Sequence, residues 1–195
     1  MLFRSACVWW MARAIRSSTS SALSTTLLEE HVSPQKDRMD TEQLIDEAIR
    51  VARSSPNRVR HVGAVLRSAD GKTTISRCNT FPQGVQETEE RHAGNGRLVW
   101  QEHAERNAIF AAARAGVATD GGALACTYFP CLECARAIVQ AGIRHLHTLP
   151  PDLTDPVWGV SFGPSQAILR EGGVQLHLSD RDGAAIHAAT MVPLP

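Results

Sequence analysis

The sequence has no excess of either charge, few aromatic residues and no long apolar run. Its 195 residues include 20 Lys and Arg against 20 Asp and Glu, and 5% of them are aromatic. This balance excludes a strong overall field toward nucleic acid or anionic lipid. No apolar segment approaches the roughly 20 residues needed to cross a bilayer, so we expect no membrane partner. With 43% apolar residues the chain can bury one core.

Cysteine is also scarce, and its spacing excludes a further class of protein. An odd number of cysteines without a dense pattern is untypical of a secreted disulfide scaffold. We therefore expect a reducing compartment and a cytoplasmic protein, in which paired cysteines are free to bind metal. The five are Cys7, Cys78, Cys126, Cys131 and Cys134.

The N-terminal segment differs in composition from the rest of the chain. Residues 1–28 contain three arginines and many Ser and Thr, and no acidic residue precedes Glu29. This composition fits either an unstructured extension, with Met39 as the true start, or an organellar transit peptide. We therefore assign residues 1–38 to a disordered extension or targeting leader and residues 39–195 to the folded domain. A transit peptide would make the location mitochondrial.

Helix and strand patterns alternate from Met39 onward. Asp40 and Gln43 have capping-box spacing before an apolar helical face, which predicts that the first helix begins there. The polar stretch 80–97 is expected to be a long loop. Two strands joined by an Asp-Gly turn are predicted at 61–68 and 73–78, and three further strands at 123–129, 145–149 and 174–179. Three more helices are predicted at 103–115, 131–141 and 164–171. This order predicts an α/β/α three-layer sandwich with a mixed five-stranded sheet.

Two short motifs, HAE at 103–105 and PCLEC at 130–134, carry the chemistry. Cys131 and Cys134 are three residues apart, so they project from one side of a helix and form half of a zinc site. His103 is the natural third ligand. Three protein ligands leave one coordination position open, which distinguishes a catalytic zinc from a structural one.

Glu105 sits two residues after His103 on the same predicted helix. On the flank of a helix these side chains diverge by about 200°, but first-turn side chains lean toward the N-terminus. The metal should therefore lie off the helix tip with Glu105 beside the open position. Two thiolates cancel the charge of Zn²⁺, so a nearby proton acceptor becomes important. A solvent-exposed helix-start glutamate is the alternative interpretation.

The joint pattern His103-Ala104-Glu105 and Pro130-Cys131-x-x-Cys134 resembles the zinc-dependent cytidine and deoxycytidylate deaminase superfamily. The likeness extends from about residue 41 to about 180 and is strongest to the deoxycytidylate deaminases. It implies a cytidine deaminase-like fold, a Zn²⁺ cofactor held by the three ligands, and a homo-oligomer.

The resemblance also implies residue roles and a reaction. Asn79 stands in a segment similar to the family's N-G-x-P-x-G and would help to hold the sugar, although Thr80 replaces the glycine. Ala104 would contact the pyrimidine through its backbone. The implied reaction is hydrolytic deamination at C4 of a cytosine ring, in which Glu105 protonates N3 and then the departing amine.

The substrate beyond the reacting carbon stays open at this point. A cytosine nucleotide or nucleoside resembling dCMP is the leading hypothesis, with no nucleic-acid partner. Deamination of tRNA adenosine, or of a free base such as guanine or a modified pyrimidine, is the enzymatic alternative, and a zinc-stabilised module without activity is the non-enzymatic one. Four arginines are candidates for a 5′-phosphate contact or for solvated surface: Arg58, Arg60, Arg91 and Arg97.

Overall fold

The structure is a computed structural model that describes residues 34–181 and 186. All of them belong to one compact unit. The helices and strands follow in the order α1 (Pro34–Ala52), β1 (Gly63–Arg67), β2 (Thr74–Cys78), α2 (Glu89–His92), α3 (Gly96–Trp100), α4 (Ala104–Ala115), β3 (Ala123–Cys126), α5 (Leu132–Gln140), β4 (His145–Thr148), α6 (Gly159–Glu171) and β5 (Gln175–Leu178). None of the described helices is long and apolar enough to span a membrane.

The five strands form one mixed sheet in the order β2-β1-β3-β4-β5. β1 runs antiparallel to both of its neighbours, whereas β3, β4 and β5 are parallel. The predicted mixed sheet is therefore confirmed. Its β1–β2 hairpin contains Gly71 at φ 69°, a left-handed conformation that glycine adopts without steric cost.

Helices cover both faces of the sheet. α1 packs on one face, where Ile45 and Ala48 meet Val65 and Ala125. Gly63 permits this close approach, since a Cβ there would lie 1.9 Å from the carbonyl oxygen of Ala48. On the other face, α4, α5 and α6 share a larger core. The predicted three-layer architecture is confirmed.

The small residues of α4 set its distance from the sheet. Ala104, Ala108 and Ala112 are fully buried, so the helix backbone packs closely on the strands. Gly116 ends the helix in the left-handed conformation, with φ 66°, as the sequence predicts. α4 therefore holds its N-terminal residues firmly at one edge of the sheet.

Two helices begin earlier than predicted. α1 starts at Pro34 rather than at Asp40, because proline is favoured in a first helical turn and nothing after it breaks the helix. α6 starts at Gly159 rather than at 164, so Pro164 lies inside it. The carbonyl that loses its partner there belongs to Val160, a residue that is 88% exposed, so water can solvate it.

The stretch 80–97 is less irregular than predicted. It contains α2 and the start of α3, which the sequence analysis did not anticipate. Both helices are a single turn or little more and bury no residue fully. Such helices leave only a weak apolar pattern in a sequence. The predicted leader spans residues 1–38, of which residues 1–33 lie outside the described range. The leader, its boundary at residue 39 and the location therefore stay predictions.

Candidate active site

The candidate site lies at one edge of the sheet, where several chain segments converge. β2 and β3 both end at this edge, and the antiparallel β1 begins there. α4 and α5 also begin there, with His103 and Cys131 as their N-cap residues. Two motifs separated by about 25 residues in the sequence are thereby brought face to face.

His103, Cys131 and Cys134 form the only potential metal-binding cluster within 34–181 and 186, and their donor atoms lie within 4.8 Å of one another. The Nδ1 atom of His103 is 3.5 Å from the Sγ atom of each cysteine. A tetrahedral zinc ion with Zn–N of about 2.0 Å and Zn–S of about 2.3 Å requires N···S separations of about 3.5 Å. The three predicted ligands therefore fit zinc.

The two thiols differ in how readily they lose a proton. A hydrogen bond from Cys134 lowers the pKa of Cys131 to about 4, which makes its thiolate the stable form at neutral pH. The same hydrogen bond raises the pKa of Cys134. The pair thus retains one proton that a bound metal would displace.

Glu105 is buried beside the cluster, with 3% of its surface exposed. It lies in the first turn of α4, as the sequence predicts, but not as a solvated glutamate. Burial raises its pKa, while the nearby His103 opposes that rise. A buried carboxylate with a raised pKa is suited to accept and return a proton near neutral pH.

Glu102 and Arg106 hold the His103 segment in place. Glu102 accepts the backbone N–H of His103 at 2.9 Å and is paired with Arg106 through a bond of 2.7 Å. Its backbone also bridges to Thr80, the residue that replaces the family's glycine. On the other side, the ring of Trp158 meets that of His103 edge-on at 5.1 Å between centroids. Contacts on two sides therefore fix the orientation of His103, the candidate metal ligand.

A cleft of about 550 Å³, open solvent at its mouth included, adjoins the cluster. His103, Ala104, Glu105 and Cys131 lie on its wall, together with Asn79. All predicted site residues except the fully buried Cys134 thus line one cavity.

Asn79 is anchored more firmly than its predicted sugar contact requires. Its Oδ1 accepts hydrogen bonds from Ser55 and from the backbone of Val62, and its Nδ2 donates to the carbonyl of Arg60 at 3.0 Å. One amide hydrogen remains for a ligand. Asn79 therefore also ties the end of β2 to the segment before β1.

The four candidate arginines separate into two groups. Arg60 and Arg97 line the cleft. Arg58 is exposed and paired with Glu89, and Arg91 stacks on Trp100 at 4.1 Å. Arg60 and Arg97 can thus contact an anionic group of a ligand in the cleft.

An aromatic and acidic support lies beneath Arg60. Its guanidinium stacks 4.2 Å above the ring of Tyr128 and pairs with Asp155 at 3.0 Å. The hydroxyl of Tyr128 donates to the same carboxylate at 2.6 Å. Asp155 also accepts the backbone N–H groups of Val157 and Trp158 ahead of α6. Sequence patterns did not identify this support, because its members are far apart in the chain.

Asp155 gives the fold a specific acid sensitivity. Burial alone would raise the pKa of Asp155, but hydrogen bonds from Tyr128, the backbone and Arg60 lower it to about 2. A lowered pKa stabilises the folded state above the ordinary value of 3.8, and this contribution disappears as the pH falls through the lowered value. We expect Asp155→Asn to lose about 2 kcal/mol of stability at pH 6, and less as the pH approaches 2.

Urea unfolding of both proteins between pH 6 and pH 2.5 measures this difference. The gap in unfolding free energy between wild type and Asp155→Asn should narrow below pH 4. A gap that is constant over this range would contradict the assigned role of the carboxylate.

The model of the cytidine and deoxycytidylate deaminase zinc-binding region matches residues 38–149. The chain belongs to this family. The match confirms the predicted resemblance and, with the geometry of the three ligands, the predicted zinc cofactor. Individual roles for Glu105, Asn79 and Ala104 remain proposals.

Similar proteins share part of the chain. ComE operon protein 2 of Bacillus subtilis is 32% identical over 80 residues, which are 41% of this chain and 39% of that protein. Deoxycytidylate deaminase of Enterobacteria phage T2 is 39% identical over 75 residues, 38% of this chain and 36% of that one. The chain thus spans less than half the length of these two relatives.

A solved structure shows the same fold over a longer span. The dCMP deaminase of cyanophage S-TIM5, in complex with dCMP and dUMP, superposes with a TM-score of 0.54 at 21% identity. The superposition covers 76% of this chain and 99% of that one. At this identity the likeness confirms the cytidine deaminase-like fold.

Proposed function

We propose that the protein is a zinc-dependent hydrolytic deaminase that converts a cytosine nucleotide or nucleoside, resembling dCMP, to its uracil product. The observation that carries this proposal is the buried Glu105, which lies beside three zinc-compatible ligands on the wall of a small cleft. A structural zinc site has no use for a buried carboxylate at that place. The names of the phage relatives support a pyrimidine nucleotide as substrate.

The proposed reaction needs three metal ligands and one residue that transfers protons. His103, Cys131 and Cys134 would hold the zinc ion, which would supply the Lewis acidity that makes water a nucleophile at neutral pH. Glu105 accepts the proton of the attacking water and passes it to ring N3. It then takes the proton of the new C4 hydroxyl and delivers it to the departing amine. The C4–O bond forms and the C4–N bond breaks, so one water is consumed and one ammonia is released.

The rest of the cleft positions the ring and excludes bulk water. Ala104 lines the cleft at the first position of α4, which places its backbone next to Glu105, where a ligand would bind. Trp158, packed against His103, closes the neighbouring wall. Phe162, by contrast, is fully buried between Tyr128 and Phe129 and belongs to the core.

A substrate panel tests the proposal. We expect the zinc-loaded protein to release ammonia from at least one of dCMP, CMP, deoxycytidine and cytidine, and not from tRNA, guanine or free cytosine. Preference for the two nucleotides would agree with Arg60 and Arg97 in the cleft wall. A zinc-loaded protein that deaminates no pyrimidine would contradict the proposal, and turnover of tRNA or guanine would favour the alternative substrates.

The homo-oligomer implied by the resemblance is likewise a proposal. Phe110 on α4 is 50% exposed and borders a groove of mixed character, which Phe81 lines together with Arg77 and Arg114, and this surface is available to a second copy. Light scattering coupled to gel filtration measures the assembly directly, and a monomer at micromolar concentration would contradict it.

A further inference from the structure

Two buried side-chain nitrogen atoms in the described part of the chain have no hydrogen-bond partner: Nε2 of Gln101 and Nε of Arg60. Buried donors are almost always paired, so each exception requires an explanation. Both residues line the cleft that holds Glu105. Their coincidence in one cavity points to a ligand as the missing partner.

The orientation of the Gln101 amide is fixed by a chain of hydrogen bonds. Asn57 must present its Oδ1 to the backbone N–H groups of Val59 and Arg60, which it accepts at 2.8 and 2.9 Å. Its Nδ2 therefore donates, and it does so to Oε1 of Gln101 at 2.6 Å. Because both donors to Asn57 are backbone groups, neither amide can be turned over without breaking bonds. The unpaired atom of Gln101 is thus its nitrogen.

Arg60 is held just as firmly. One of its Nη atoms pairs with Asp155, and its guanidinium plane rests on the ring of Tyr128. The side chain is only 22% exposed, so its unpaired Nε cannot rely on bulk water. Each of the two donors is therefore fixed before any ligand arrives, an arrangement that favours selective binding.

We propose that Gln101 and Arg60 are specificity-determining residues, which donate hydrogen bonds from Nε2 and Nε to two acceptor atoms of the substrate away from its reacting carbon. Asn57 is the positioning residue that orients Gln101. The inference rests on the proposed function for the identity of the substrate class. A base carbonyl, a sugar hydroxyl and a phosphate oxygen are all acceptors of this kind, and the test separates the phosphate oxygen from the two acceptors of the nucleoside.

Two substitutions of Gln101 test the first donor. Gln101→Glu keeps the acceptor for Asn57 but replaces the donor, and Gln101→Met removes the donor without adding charge. We expect both to raise KM at least tenfold for substrates that carry the acceptor, with a smaller change in kcat. The substrate whose KM does not change reveals which group is recognised. Gln140→Glu, the same exchange at the exposed end of α5, is the matched control and should retain wild-type kinetics.

Arg60→Lys tests the second donor, since it keeps the charge and removes the fixed Nε–H. A rise in KM of at least fivefold is expected, whereas Arg58→Lys at the exposed pair with Glu89 should have no effect. Wild-type KM values for Arg60→Lys with every substrate would overturn the role of Arg60.

Nuclear magnetic resonance separates this inference from the proposed function. In protein labelled with ¹⁵N-glutamine, the side-chain signals of Gln101 are those lost in Gln101→Glu. Addition of dUMP, uridine or inorganic phosphate should shift them and leave the signals of Gln140 in place. Ammonia release with unmoved Gln101 signals overturns the inference alone. Shifted signals without release contradict only the proposed function, and the absence of both contradicts the two together.

Discussion

Replacing Glu105 with glutamine should abolish turnover and leave the zinc in place. Glutamine has nearly the same shape but cannot carry a proton, and the proposed reaction uses this carboxylate at every proton transfer. General acid–base groups contribute roughly 10²–10⁴-fold, so we expect kcat to fall at least about 10³-fold. Zinc content per chain, measured by atomic spectroscopy, should equal that of the wild type.

Glu133→Gln is the matched control for this substitution. Glu133 also lies in the first turn of a helix that begins at the site, but its side chain is 58% exposed and pairs with Arg136. It should keep full activity and zinc. If Glu105→Gln lost the metal instead, Glu105 would be a ligand, and if it kept its activity, another group would carry the proton.

Replacing Cys134 with alanine should remove the zinc and the activity together. Cys134 is fully buried, and with two ligands left the site has no means to retain the ion at neutral pH. We expect zinc content below a tenth of the wild-type value and turnover reduced at least about 10³-fold. Because metal binding and folding are coupled, the thermal midpoint should fall as well.

Cys78→Ser is the control, since this partly buried cysteine lies at the end of β2 outside the cluster. It should retain zinc and turnover. Treatment with a chelator should lower the thermal midpoint of the wild type and of Cys78→Ser but leave that of Cys134→Ala unchanged. A Cys134→Ala protein with full zinc content would contradict the ligand assignment.

The elements that the sequence predicted well are those with strong local signals. β1 and β2 flank an Asp-Gly turn, and α4 has a face of small apolar residues and ends at Gly116. These signals depend on neighbours a few residues apart. The start of α6 depends instead on Asp155, whose carboxylate accepts two N–H groups ahead of the helix, so Pro164 was mistaken for its beginning.

In the site, too, residues close in the sequence were predicted, and contacts between distant residues were not. The spacing of His103 and Glu105, and that of Cys131 and Cys134, is legible because each pair occupies a single helix turn. The contact of Asn57 with Gln101 joins residues 44 apart and follows no motif. No periodicity marks a residue that acts through a partner brought near only by folding.

The central claim is that this site performs hydrolysis at an amino-substituted ring carbon. The most direct measurement is turnover of dCMP by the zinc-loaded protein in H₂¹⁸O, followed by mass spectrometry of the product and assay of ammonia. The account predicts dUMP with one ¹⁸O atom at C4 and one equivalent of ammonia. Unlabelled dUMP would exclude attack by water, and unreacted dCMP, CMP and nucleosides in the presence of bound zinc would contradict the account.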